Sequence, residues 1–403
     1  GPQDNVDADT RFAAFVPGPD GPKANPALEA IITAPVNNPT GGNPGANDLI
    51  RVLASGVTIN GIVIDGNNPS LANVSGTIIN GVEIDARRAL TNVNNVDVVV
   101  PINNLNLSYS ILQNFGQRGV SLSSSNALTG NVISENVIRN FRDQGILLLN
   151  NAYADILNNT VEVPGDAIGL HLQNFHQNGT STWTGNTVTV RQDGIGVHAN
   201  LFNTPAGTLN INNNTVNAAS GVTGASDFTW GINVWSILGS STVTIAGNTV
   251  GNSGGQFGRG INLWHLPTAN TVTVNNGTVG NAVVGINLDN VDPYYGAGLN
   301  TIVNVNGTVV TGGTTGIRTR TELLPSVPFY APNTLGGNTT MNLSGVTVTG
   351  ATTNIAAIAP TASAPFTATI TVNNDSEINN AGTAGILVSG LQASATVQNN
   401  DAS

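Results

Sequence analysis

Six side chains with binding or acid-base chemistry recur at one position of a repeated segment: His171, His198, Trp235, Trp264, Asp289 and Arg320. Each is the fourth residue after a Gly or Ala, as in Gly231-Ile232-Asn233-Val234-Trp235 and Gly260-Ile261-Asn262-Leu263-Trp264. The second positions hold Gly169, Gly196, Asn233, Asn262, Asn287 and Arg318. If the segments are strands, first and third residues point inward, and second and fourth point outward. Two tryptophans one repeat apart beside Asn amides match a sugar-stacking platform, in which rings take C–H surfaces and amides take hydroxyls. His171, His198, Asn233, Trp235, Asn262, Trp264, Asp289 and Arg320 are therefore the candidate carbohydrate-binding residues. The weightier reading is that Trp235 and Trp264 pack beneath overlying loops, because large aromatics are usually mostly buried.

A second column precedes the same segments: Arg118, Arg142 with Asp143, Asp166, Arg191 with Asp193, and Arg259. Asp166 and Asp193, one repeat apart with His171 and His198 nearby, have the residue types for a shared acid and base. Alternating signs favour a surface ladder of Arg and Asp instead, since exposed ion pairs are common and individually weak. No catalytic residue is assigned. Asp289 and Asp292 beside Tyr294-Tyr295 are too few acids for a cation site. No calcium nonapeptide, phosphate loop or zinc spacing is present, so no cofactor and no metal is expected.

What must position these residues is a repeat. The Gly-Ile segment recurs at Gly119, Gly145, Ala167, Gly194, Gly231, Gly260, Gly285, Gly316 and Gly385. A second segment alternates with it: Asn136-Val137-Ile138, Asn159-Thr160-Val161, Asn186-Thr187-Val188, Asn214-Thr215-Val216, Asn248-Thr249-Val250, and onward to Ser376-Glu377-Ile378. From Gly231 to Gly260 is 29 residues and from Gly260 to Gly285 is 25, the period of a solenoid whose repeats bury apolar side chains only by stacking. Apolar residues alternate with small or polar ones, the period of a strand with one buried face, and no comparable stretch has helical spacing. The expectation is an all-β parallel β-helix, a β-solenoid of about twelve coils. The Asn column (Asn136, Asn159, Asn186, Asn214, Asn248) is read as structural, with amides bonding from coil to coil.

Residues 1–48, rich in Pro, Gly, Asn and Asp with one strand over Ala27 to Thr33, read as an irregular lead-in packed on the first coils. Residues 49–403 read as β-helix. Ile59-Asn60-Gly61-Ile62-Val63-Ile64-Asp65 is echoed 20 residues later by Ile79-Asn80-Gly81-Val82-Glu83-Ile84-Asp85, suggesting short coils, and Asp97 to Val100 with Leu105-Asn106-Leu107 adds another. Longer turns at 201–208, 220–229, 291–300 and 322–338 are expected to crowd one side, where solenoids place function.

Composition agrees. Of 403 residues only 9% are charged and 48 are Gly; β-branched residues suit pleated strands, and Gly and Asn suit left-handed turns. The net charge of −11, with Lys23 the one lysine, disfavours nucleic acid, which needs a basic face. Without cysteine there is no disulfide or thiolate site. No apolar run reaches the ~18 residues of a membrane span. The chain opens Gly1-Pro2-Gln3 with no signal peptide, as expected of a processed form.

Over residues 49–403 these repeats resemble the right-handed parallel β-helix family, the pectin-lyase-like fold. Gly1-Pro2-Gln3 through Arg11, followed by Val52-Leu53-Ala54-Ser55-Gly56-Val57-Thr58-Ile59-Asn60-Gly61, is similar to β-helix segments of large bacterial surface and secreted proteins. That family mixes lyases, hydrolases, adhesins and rods, so the resemblance implies fold rather than activity. The Asn-Thr-Asp, paired-Asp and His-Gly sets of polygalacturonases do not occur, and the four histidines precede Leu, Gln, Ala and Leu. Pectate lyases use an Arg or Lys base beside calcium-bound carboxylates; no dense acidic patch accompanies the arginines. Low charge, unbroken repeats, open ends and the missing catalytic sets lead to the expectation of an extracellular or cell-surface, non-catalytic structural or adhesive β-helix. The C-terminal end, Ala395 to Asp401, opens another repeat and is expected to be uncapped; either the chain is a segment of a longer solenoid, or other copies of it are partners through open ends, up to a fibre. The alternative is a carbohydrate-active enzyme or polysaccharide-binding module, with surface glycans as partners and the Trp/His column as its site.

Overall fold

The computed structural model describes residues 30–37, 48–71, 78–79, 82–92, 101–173, 179–200, 207–225, 228–235, 241–264, 266, 271–289, 300–321, 338–359, 366–373 and 375–398. Strands dominate, and no helix occurs among the described residues. The strands pair in parallel to form a β-helix in each of two compact units, residues 1–196 and 197–403.

Each coil has three strands rather than the two visible in the repeats. The strand missing from that reading has the pattern Thr-Val-Thr-Ile, as in Thr242–Ala246 and Thr271–Asn275, and its members form a sheet of their own. It passes as polar by composition, yet Val243 and Ile245 are buried while Thr242, Thr244 and Ala246 are half-exposed. The other two families are joined where a single strand bends across both, as Ile111–Ser124 and Thr249–Trp264 do. Among the described residues, five strands of the Thr-Val family lie in the first unit and seven in the second.

In the second unit the core is three columns of aliphatic side chains. Ile232, Ile261, Ile286, Ile317 and Ile355 stack through one family, and Val216, Val250, Val279, Val310 and Val348 through the next. Val243, Val272, Val303, Met341 and Ile370 form the third. Full burial of such a side chain is worth ~1.5–3 kcal/mol, so the columns are the main source of stability in a chain without disulfides. In the first unit larger groups fill the coil: Phe115 pairs with Phe141, and Trp183 stacks on Ile156.

The glycine of the Gly-Ile segment is there for contact, not for a turn. A Cβ on Gly231 would lie 2.5 Å from the Gly260 carbonyl oxygen and 2.5 Å from Val250 Cγ1, and Gly260 meets Gly285 and Val279 in the same way. At this corner two families approach so closely that no side chain fits, which explains why the glycine recurs.

The Asn column is a ladder. Asn159 Oδ1 accepts the backbone N–H of Asn136 at 3.0 Å, and Asn186 Oδ1 accepts that of Asn159 at 2.9 Å; in the second unit Asn248 Oδ1 accepts that of Asn214 at 2.9 Å. The residue before each ladder Asn takes a left-handed conformation, as at Asn158 (φ 54°) and Gly247 (φ 64°). Asn and Gly tolerate it best, so the turn chemistry selects the pair.

Two expectations change, the coil at 79–85 and the single side for the long turns. Residues Ile78–Ile79 and Val82–Glu83 pair antiparallel, so the echo at 79–85 is an excursion rather than a coil. The sequence between them, Asn80-Gly81, is the pair that favours a two-residue hairpin. The described part of the strand expected over Ala27 to Thr33, Ile31–Thr33, pairs in register with Val63–Asp65, and Asp48–Arg51 pairs with Ala86–Thr91. Residues 220–223 of the expected 220–229 turn belong to strand Thr215–Thr223, an Asn-Thr-Val strand, whereas the strands before 201, 291 and 322 are Gly-Ile strands, so the long turns do not all start from one family of strands. Residues 1–29, 38–47, 93–100, 201–206, 290–299 and 322–337 lie outside the described residues, and with them most of the lead-in, the Asp97 to Val100 run, Asp292 and the Tyr294-Tyr295 loop.

Candidate functional site

Strands Trp230–Trp235, Thr249–Trp264, Ala282–Asp289 and Thr315–Arg320 bring the column residues of the second unit together. Their register places Trp235, Trp264, Asp289 and Arg320 opposite one another in succession, with Asn233, Asn262, Asn287 and Arg318 alongside. His198 lies in the same unit and reaches Asn233 by a hydrogen bond of 2.7 Å. His171 belongs to the first unit, where it is buried on strand Ile168–Gln173 opposite Leu147.

The second positions point away from the aliphatic core, yet Asn233, Asn262 and Asn287 are all 0% exposed. Their amides join into one directed chain. Arg318 Nε donates to Asn287 Oδ1 (2.7 Å), Asn287 Nδ2 to Asn262 Oδ1 (2.8 Å), Asn262 Nδ2 to Asn233 Oδ1 (2.6 Å), and Asn233 Nδ2 to His198 Nδ1. Guanidinium is an obligate donor, so this direction makes His198 Nδ1 the terminal acceptor and places its proton on Nε2. Burial pushes the His198 imidazolium down to about 4, in keeping with a neutral ring. The amides expected to receive sugar hydroxyls are therefore engaged with one another beneath the surface, because identical residues in register satisfy each other.

Asp289 is the anionic centre of the cluster. Arg320 clamps it with two hydrogen bonds, Nε to Oδ1 at 2.8 Å and Nη2 to Oδ2 at 2.9 Å, and Asn287 Nδ2 donates to Oδ2 at 2.9 Å. Arg259 Nη1 stands 3.4 Å from Oδ2 and donates to Asn262 at 2.9 Å. Burial alone would raise the Asp289 carboxyl, but the hydrogen bonds and charge of Arg320, with Arg318 and Arg259, outweigh it and hold it below the usual 3.8.

Above this polar layer lie aromatic rings. Trp235 and Trp264 are half-buried and stacked, their centroids 5.6 Å apart and their planes 25° from parallel. Trp230 meets Trp264 edge-on at 6.3 Å, and the Arg259 guanidinium lies 5.7 Å from the Trp230 ring. His198 tilts against Trp235 at 6.5 Å. Trp230 is the member of this site that the spacing did not single out, and Arg259 and Asn287, noted in the sequence outside the binding set, belong to it. Trp230 escaped because it has the parity of the inward Ile232, and Arg259, placed by its spacing in the charged column, joins the Asp289 cluster instead.

The Arg and Asp column, read as a surface ladder rather than an acid-base pair, does not assemble as one column. Gln144, not Arg142 or Asp143, lies opposite Arg118, while Arg259 belongs to the Asp289 cluster. Asp166 (φ 59°) and Asp193 (φ 63°) are exposed at left-handed turns, where Asp is favoured for its backbone tolerance. Among the described residues no group of three His, Cys, Asp or Glu is placed to hold a metal, and no helix is long and apolar enough to cross a membrane. Comparison with family models and with curated proteins gives no match for this chain.

Proposed function

We propose that this chain is a non-catalytic, extracellular structural or adhesive β-helix of a bacterial surface. The observation that supports the reading is the closed polar layer of the second unit: the Asn233–Asn262–Asn287 chain is buried and bonded end to end, and Asp289 is clamped by Arg320. A hydrolase or lyase needs an acid or base within reach of its substrate. The test is incubation with neutral and acidic polysaccharides, following new reducing ends and the ultraviolet absorbance of unsaturated sugars. No turnover is expected, and turnover abolished by Asp166→Asn or Asp289→Asn would replace this reading with an enzymatic one.

Self-association belongs to the same proposal. Leu387, Val388, Leu391 and Val397 are 40, 46, 78 and 63% exposed, and a second copy is the proposed cover for this apolar surface. Sedimentation at rising concentration should show growing oligomers; a monomer throughout removes self-association.

A specific observation favours glycan binding as a second reading. The stacked, half-buried Trp235 and Trp264 offer aromatic surface suited to the C–H face of a sugar. A glycan array should show signal that both Trp235→Ala and Trp264→Ala lose; signal retained in both variants would place binding elsewhere.

A further inference from the structure

A separate charged cluster lies within residues 1–196. Asp48–Arg51, Ala86–Thr91 and Ile111–Ser124 run side by side, and their register sets Asp48 opposite Arg88 and Arg88 opposite Arg118. Arg51 follows Asp48 on its own strand, and Arg87 enters where the pairing shifts between Ala86 and Arg88. Four of the chain's 12 basic residues thus gather around one carboxylate, in a chain of net charge −11.

The compensation is poor. The Asp48 side chain is 0% exposed and that of Arg88 7%, but Arg88 Nε stands 3.7 Å from Asp48 Oδ1 and Arg51 Nε 3.9 Å from Oδ2, too far for hydrogen bonds. Both Asp48 oxygens and Arg88 Nε are buried without a hydrogen-bond partner among the described residues. Arg87 Nε and Arg118 Nε donate to the neutral amides of Gln117 (2.6 Å) and Gln144 (2.5 Å), which leave their charges uncancelled. Asp143 is the one further carboxylate acting on Arg118. Burial first, and repulsion from Arg87, Arg118 and Arg51 after it, push Arg88 down to about 10 despite Asp48. Burial likewise raises the Asp48 carboxyl in spite of four cations. Among the described residues, four guanidiniums against two carboxylates is an arrangement short of anionic acceptors.

We propose that Arg51, Arg87, Arg88 and Arg118 form a binding site for an oxyanion: a carboxylate, sulfate or phosphate group. Such a group offers paired oxygens to the guanidinium forks and supplies the charge the cluster lacks. Arg51, Arg87 and Arg118 are partly exposed and give it access, while Arg88 forms the floor.

The test compares the intact protein with the Arg87→Gln/Arg118→Gln double variant, using thermal unfolding and titration calorimetry. Sulfate, phosphate and glucuronate are the probes, each against chloride at matched ionic strength. The substitutions spare both contacts of Asp48 and relieve repulsion, so the variant should melt in chloride no lower than the parent. At least one probe should stabilise the parent beyond chloride, and its affinity should fall at least tenfold in the variant; which probe does so identifies the source of the anion. Equal stabilisation of both proteins, no effect beyond chloride, or a variant less stable in chloride would each overturn the site. The reading of Trp235 and Trp264 stands or falls separately, since neither substitution touches them.

Discussion

Trp235 lies directly opposite Trp264 on the neighbouring coil, and their indoles stack 5.6 Å apart because the strands beneath them pair residue for residue. Parallel in-register stacking turns one choice of residue into a continuous surface. A double-mutant cycle of Trp235→Ala and Trp264→Ala should return a coupling of about 0.5–1.5 kcal/mol in unfolding free energy. Additive losses would mean the rings contribute only through separate burial.

Asp289 carries a different kind of consequence. Replacing it with Asn leaves the Arg320 and Arg259 guanidiniums, with side chains 20% and 9% exposed, without their carboxylate. A loss of about 3–5 kcal/mol is expected, measured by urea unfolding at pH 7. The folded carboxyl sits below its ordinary 3.8. Its stabilisation is therefore complete above the unfolded value and is lost as pH falls through the folded one. Between pH 5 and pH 2.5 the parent should lose stability more steeply than Asp289→Asn, and parallel slopes would show that the clamp does not couple to protonation.

Much of this was legible because β-solenoid sequences repeat their chemistry. The Gly-Ile and Asn-Thr-Val segments gave strand register directly, and that register put Trp235, Trp264, Asp289 and Arg320 in one column. Two things escaped. Thr242–Ala246 and its kin look polar because only two of their five residues face inward, so a third of each coil was passed over. The fate of the Asn amides was also invisible: strand alternation gives the direction of Asn233, but not whether anything lies above it. The Arg88 cluster was missed for a related reason, since its members come from separated coils with no common motif.

The ladder at Asn159 can be tested alone. Its Oδ1 accepts the Asn136 backbone N–H, and its Nδ2 donates to the Ile133 carbonyl at 2.9 Å, all fully buried. Asn159→Ala orphans both backbone groups, at a cost of about 1–3 kcal/mol for each group left unsatisfied. Hydrogen exchange should accelerate at the Asn136 amide above all. Unchanged protection there would mean that the neighbouring ladder residues compensate.

His198 ends a chain of donors that begins at an arginine, and that direction makes it sensitive to acid. Protonation turns Nδ1 from acceptor into donor, facing the Asn233 amide at 2.7 Å. Turning that amide over would set its oxygen toward His198 but its nitrogen toward Asn262 Nδ2, another donor, and each correction passes the conflict along to Arg318, which cannot accept. The folded ring is held at about 4 by burial against an ordinary 6.5. A lowered folded value means the unfolded chain takes the proton first, so this stabilisation is complete above 6.5 and is lost as pH falls toward 4. The ceiling is about 3 kcal/mol. His198→Gln keeps an acceptor for Asn233 and cannot be protonated, so between pH 7 and 4.5 it should lose about 2–3 kcal/mol less than the parent in urea unfolding. Identical losses in the two proteins would show that the imidazole titrates in the folded state as it does in water, and that the amide chain does not fix its proton.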